Sequence, residues 1–207
     1  MPKDSFKVFL SHAEEDYDLV FRIFDILFRL KASPYMHESY PDYRRDIPTG
    51  IRDVLRGCTM CVAFLTKDGI NSQWVQQELG VAYAFERIIV PVIETGVEYK
   101  GFVQMVTKIP YEQGNPDLVI YDVIYAVRKY VVGHNEVLIS LTCANNHKHD
   151  YSLPSTDAIN TLLNRSPNWL NWLGLRRCLG YKCPMCGVDI SVNPETLEII
   201  KGTKGVR

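Results

Sequence analysis

No segment of this chain approaches the roughly 20 consecutive apolar residues that would span a bilayer. The N-terminal stretch MPKDSFKVFLSHAEED offers only Val8 to Leu10 as an apolar run, far short of a secretory signal core. Both absences lead to the expectation of a soluble, cytoplasmic protein. A charge surplus is lacking too: 23 basic residues face 24 acidic ones. Nucleic acids and anionic membranes draw proteins through a basic excess on one face, so neither is expected as a partner. No internal repeat or low-complexity tract interrupts the chain. In a reducing compartment the six cysteines are expected as thiols or metal ligands rather than disulfides.

What is present is 207 residues, enough for one ordinary domain and a small second one. The first part alternates β-rich and helical runs. Lys7 to Ser11 reads as a strand buried on both faces. Leu19, Val20, Ile23, Phe24, Leu27 and Leu30 recur at helical spacing, and Pro34 stops that helix. Tyr35 to Ser39 fits a second strand, followed by a polar loop from Tyr40 to Gly50 and a brief helix around Ile51, Val54 and Leu55. Met60 to Leu65 is the third strand. Asn71 or Ser72 caps a helix from Trp74 to about Glu86. Ile88 to Ile93 and Lys108 to Tyr111 supply two more strands. Asn115-Pro116 opens a last helix whose apolar face is Val119, Val123, Ile124, Val127 and Tyr130, with Gly133 ending it. This alternation predicts an α/β fold with a five-stranded parallel sheet covered by helices on both faces. Its ligand crevice would lie beyond the carboxyl ends of the strands.

Three features meet that crevice: Ser11-His12-Ala13 after the first strand, the Tyr40 to Gly50 loop, and Ser72 to Leu79 after the third strand. Trp74 and Glu78 are one helical turn apart, so an aromatic plane stands beside a carboxylate, a cradle for a ribose bearing a ring. A phospho-receiver would want an acceptor Asp ending strand three, which instead ends Phe64-Leu65-Thr66. A dinucleotide fold of the glycine-rich kind would want glycine after strand one, and Ser11-His12-Ala13-Glu14 has none.

Val8-Phe9-Leu10-Ser11-His12, Asp46-Ile47-Pro48-Thr49-Gly50-Ile51, Ser72-x-Trp74-x-x-x-Glu78-Leu79 and Ile89 to Ile93 fall in one order and spacing. Together they resemble the TIR (Toll/interleukin-1 receptor) domain over residues 5 to 131: its first box, its BB loop, its Ser-x-Trp-x-x-x-Glu signature and the next strand. The departure is His12, where many members carry an aromatic. The resemblance implies a flavodoxin-like sheet and, as in many microbial members, NAD cleavage at the nicotinamide–ribose bond by the glutamate aligned with Glu78. Some members also cyclise the ADP-ribose product into a signal in anti-phage defence. On this reading Glu78 is the catalytic carboxylate. Ser11, His12, Glu38, Tyr43, Ser72 and Trp74 form the substrate wall. Asp46, Pro48 and Gly50 contact a neighbouring subunit, since family sites are often completed by self-association. The alternative is a TIR domain serving assembly or recognition without catalysis.

From about residue 133 the composition changes, so the expected division is 1–132 and 133–207. Cys183-Pro-Met-Cys186-Gly187 has the shape of a zinc knuckle: two thiolates two residues apart, with glycine permitting the tight turn. Cys143 and His147 are the preferred partners, with His149 as the alternative imidazole and Cys178 a substitute thiol. They would close a structural Cys3His zinc site in a module resembling a zinc ribbon. A polar helix near Ser155 and the apolar Trp169, Leu170, Trp172 and Leu173 lie between the two halves. Cys58 and Cys61 read instead as core thiols, pointing to opposite faces if both sit on a strand.

Overall fold

The computed structural model describes residues 6–29, 32–37, 47–132, 138–154, 178–193 and 197–200. Side chains of 47–49 and 131–132 are outside that description. Among the residues singled out above, Leu30, Glu38, Tyr43, Asp46, Gly133, Ser155, Trp169, Leu170, Trp172 and Leu173 lie outside the described residues. The chain divides into two compact units, Met1–Val127 and Arg128–Arg207.

In the first unit, β1 (Val8–Ser11), β2 (Pro34–Tyr35), β3 (Met60–Leu65), β4 (Ile88–Glu94) and β5 (Ile109–Tyr111) form one sheet. Its order is β2-β1-β3-β4-β5, and every pairing is parallel. The chain order reverses between β1 and β3, which is the switch point where such sheets bind ligands. Six consecutive apolar residues make β3, and all six are buried, as a strand covered on both faces requires. Register runs from Val8 opposite Met60 to Ser11 opposite Ala63, so Ser11 ends β1 alongside the middle of β3.

Among the described residues four α-helices cover the sheet: α1 (Tyr17–Arg29), α2 (Ile47–Gly57), α3 (Gln73–Ala84) and α4 (Pro116–Val132). Helix α1 buries Val20, Ile23, Ile26 and Leu27. Its adjoining face holds Tyr17, Phe21, Phe24 and Phe28, whose successive ring centroids are 5.7, 6.2 and 6.3 Å apart. Tyr17, Phe21 and Phe28 of that ladder are exposed. In α4 the expected face is buried from Val119 to Val127, whereas Tyr130 is exposed, past the end of the first compact unit.

Two of the boundaries that differ from the sequence reading bear on the site. Residues 47–50 are not loop but the first turn of α2. Pro48 is tolerated there because the first helical turn leaves its N–H groups unbonded in any case. Strand β2 is two residues long and starts at Pro34, which an edge strand accommodates. The chain leaves it before His37, so the strand does not run on to Ser39. Cys58 and Cys61 are both buried, in one cluster with Phe9, Ile51, Leu55 and Ala82. Cys58 precedes β3 rather than lying on it, so the two thiols share a core instead of facing apart.

The second unit contains two antiparallel pairs, β6 (Leu138–Thr142) with β7 (Lys148–Ser152) and β8 (Leu179–Lys182) with β9 (Asp189–Val192). No helix among the described residues is long and apolar enough to cross a membrane.

Candidate functional site

The turn after β3 sets the direction of α3. Gly69 N–H donates to Thr66 Oγ1 at 2.9 Å, and that hydroxyl donates to Asp16 Oδ2 at 2.8 Å. A Cβ on Gly69 would lie 2.1 Å from the Phe64 carbonyl oxygen, so only glycine fits. Burial pushes the Asp16 carboxyl above its ordinary range, with the Thr66 hydroxyl pulling it back. Ser72 then caps α3, its hydroxyl accepting from Val75 N–H. Trp74 stands in the first turn and Glu78 one turn later.

Glu78 is only 6% exposed, which excludes the ordinary reading of a glutamate on an amphipathic helix as a solvated charge. Its Oε2 accepts a 2.6 Å hydrogen bond from Ser11 Oγ, itself buried at the end of β1. A hydroxyl on a carboxylate at that distance is a strong, orienting bond. Behind it lies Cys61, whose thiol is pushed well up first by burial and then by the neighbouring Glu78 charge. Burial likewise pushes Cys58 up to about 11, so both thiols stay protonated core groups.

In front of Glu78 opens a cavity of about 410 Å³, lined by Leu10, His12, Ala13, Glu14, His37, Ile51, Ser72, Trp74 and Glu78. Trp74 is 48% exposed, so its ring is a wall rather than core. The His12 Nδ1 lies 3.2 Å from the Leu10 carbonyl oxygen, which fixes the imidazole against β1. The structure thus brings Ser11, His12, Ser72, Trp74 and Glu78 together, all named from sequence. Pro48 and Gly50 sit in the first turn of α2, and Gly50 is not among the described residues that line this cavity. His37, which the sequence did not mark, also lines it, as does Ile51, which the sequence marked only as part of the α2 pattern and the BB-loop motif. The signal for His37 was available: a polar residue just past the carboxyl end of a strand. It was hidden by reading β2 as running through it.

In the second unit, Cys143, His147, Cys183 and Cys186 present ligand atoms within 4.8 Å of one another and could hold a metal ion. Cys143 Sγ is 3.7 Å from Cys186 Sγ and 3.7 Å from His147 Nδ1, and Cys183 Sγ is 3.7 Å from the same nitrogen. Two tight turns build the cluster. Gly187 at φ 70° donates its N–H to Cys183 O, and Asn146 at φ 61° donates to Cys143 O. The N–H of Val188 donates to Cys186 sulfur and lowers its thiol to about 6, while burial raises Cys183. His149 belongs to β7 and its ring faces Tyr151, leaving His147 as the imidazole of the cluster.

The family model for the TIR domain matches residues 8–115. Among solved structures, the TIR domain of the Toll-related receptor TRR-2 from Hydra magnipapillata is 14% identical with a TM-score of 0.50, the match covering 58% of this chain and 97% of that one. The CMP N-glycosidase BcmB of Clostridium botulinum is 15% identical with a TM-score of 0.44, over 57% of this chain and 98% of its own. A TIR-STING receptor from C. gigas, solved with 2',3'-cGAMP, is 12% identical with a TM-score of 0.45, over 76% of each chain. Likeness at these identities speaks to fold alone. No curated protein matches the chain. Because the family model spans just over half of the sequence, from β1 through the turn before α4, this chain belongs to the TIR domain family.

Proposed function

We propose that the first unit cleaves NAD at the bond between nicotinamide and ribose, with Glu78 as its catalytic carboxylate. The observation that carries this reading is a buried glutamate, oriented by Ser11, facing a cavity walled by a half-exposed tryptophan. Nicotinamide leaves as a neutral molecule from a cationic linkage, so the leaving group needs no general acid. The ribose acquires oxocarbenium character as the bond breaks, as in glycoside hydrolysis. A fixed carboxylate bonded to the ribose hydroxyls gains strength as that positive charge develops, and it gains more where water is excluded. Ser11 holds the carboxylate in place before the substrate arrives. Water attacking the cation gives ADP-ribose; attack by a nucleophilic atom on the adenosine half of the same molecule gives a cyclic product, the form that would act as a defence signal.

Self-association of the TIR unit belongs to the same reading, with Asp46, Pro48 and Gly50 as contact residues. The second unit would hold a structural zinc on Cys143, His147, Cys183 and Cys186. Zinc–sulfur bonds of about 2.3 Å and zinc–nitrogen bonds of about 2.0–2.1 Å imply tetrahedral edges of roughly 3.4–3.8 Å, and the Cys143–Cys186, Cys143–His147 and Cys183–His147 separations of 3.7 Å fall in that range. A cytoplasmic location suits both NAD supply and reduced thiols.

The test is nicotinamide release from NAD by the purified full chain. Glu78→Gln should lower kcat by at least ~100-fold with an unchanged circular-dichroism spectrum. Turnover that survives the substitution would remove Glu78 from the chemistry.

A further inference from the structure

We propose that His37 is a specificity-determining residue of the Glu78 cavity, its Nδ1 accepting a hydrogen bond from the carboxamide of the nicotinamide ring; this rests on NAD as the substrate. His37 follows the fully buried Met36 at the end of β2, so the sheet edge fixes its backbone. Its side chain lines the same cavity as Trp74 and Glu78. Its Nδ1 is buried and has no hydrogen-bond partner among the described residues. A buried polar atom left unmet is unfavourable, and a ligand that supplies the missing partner removes that cost on binding.

The charge of the lining selects which part of the substrate enters. Besides two imidazoles, the ionisable groups among the described lining residues are the carboxylates of Glu14 and Glu78, with no Lys or Arg. A pyridinium ring brings the charge that these carboxylates favour. The carboxylates therefore favour the nicotinamide end as the part of the substrate that enters the cavity. Leu10, Ile51 and Trp74 offer apolar surface to the ring faces. The carboxamide N–H is then the donor that suits Nδ1 as an acceptor, the ring proton of that tautomer lying on Nε2. The carboxamide is unchanged when the glycosidic bond breaks, so this contact binds ground state and transition state equally. It acts on KM rather than kcat.

The experiment compares NAD with its analogue in which an acetyl group replaces the carboxamide, using the full chain and the His37→Ala, His37→Leu and His37→Asn variants. The wild type should prefer NAD by on the order of 10-fold in kcat/KM. His37→Ala should raise KM for NAD by about 10-fold, leave kcat within about 3-fold, and lose the preference. His37→Leu keeps the volume without an acceptor and should do the same, which covers the case of an alanine variant that folds poorly. His37→Asn, with an oxygen placed near the Nδ1 position, should restore the preference. A preference that survives in both the Ala and Leu variants overturns the proposal, as does a loss confined to kcat. Calorimetric titration with free nicotinamide separates the two readings. Binding weakened by His37→Ala in a protein that does not turn over NAD sinks the proposed activity and keeps His37. Turnover with unaltered discrimination sinks His37 alone.

Discussion

The bond from Ser11 to Glu78 joins residues 67 positions apart, and removing its donor has a calculable effect. Ser11→Ala deletes one hydroxyl at a buried strand end and leaves the register of β1 against β3 intact. A hydrogen bond to a charged group contributes about 1.5–3 kcal/mol, and a bond between neutral partners about 0.5–1.5 kcal/mol. Ser11→Ala should therefore lower unfolding free energy by about 2 kcal/mol where Glu78 is present. In the Glu78→Gln background the same substitution should cost about 1 kcal/mol less. Urea denaturation of the four proteins of this cycle, followed by circular dichroism, reads the coupling directly. The same variant should lose about 10- to 100-fold in NAD turnover, the rate equivalent of about 1.4–2.7 kcal/mol of lost orientation. Equal costs in both backgrounds, within about 0.5 kcal/mol, would show that the hydroxyl only fills space, and the account of Ser11 as the orienting group would fail.

Two glycines should respond in opposite directions: Gly69→Ala should destabilise by about 1–3 kcal/mol through its collision with the Phe64 carbonyl. Gly80→Ala, on the exposed face of α3 with open space around it, should stabilise by about 0.8–1 kcal/mol, both read from thermal melts. Asp16 has its folded pKa raised above the ordinary 3.8, so the folded state binds the extra proton between those values and stability falls as pH rises through that window. Asp16→Asn should accordingly raise the melting temperature at neutral pH, and the gain should vanish below pH 3.8, where both states are protonated. With zinc held as proposed, chelation or Cys183→Ser should unfold the second unit, because zinc binding of about 10–16 kcal/mol exceeds what a small core supplies. Loss of amide-exchange protection in β6 to β9 is the readout.

The sheet was readable because its strands carry their own signature. Met60 to Leu65 is apolar at every position, and the Ser72 cap announces α3 one turn before Trp74. Glu78 was legible through its spacing from Ser72 and Trp74, but its burial was not. A glutamate on a helix declares nothing about the strand beneath it, and Ser11 reaches it only through sheet register. Pro48 and Gly50 misled, since both are loop formers in isolation and the first turn of a helix also accepts them. His37 was lost because Tyr35 to Ser39 continues a strand-like pattern, while the pairing of β2 with β1 ends at Tyr35. The Cys and His spacing was legible because tight turns with fixed ligand offsets leave a local trace in sequence.

The ring ladder on α1 leaves three aromatic side chains facing water in a protein with a formal net charge of -1. Little long-range repulsion keeps such molecules apart in concentrated solution. Salts excluded from protein surfaces, such as sulfate, strengthen the removal of apolar area from water, whereas simple screening by sodium chloride has little net charge to act on. The solubility of this chain should follow the identity of the anion more closely than the ionic strength.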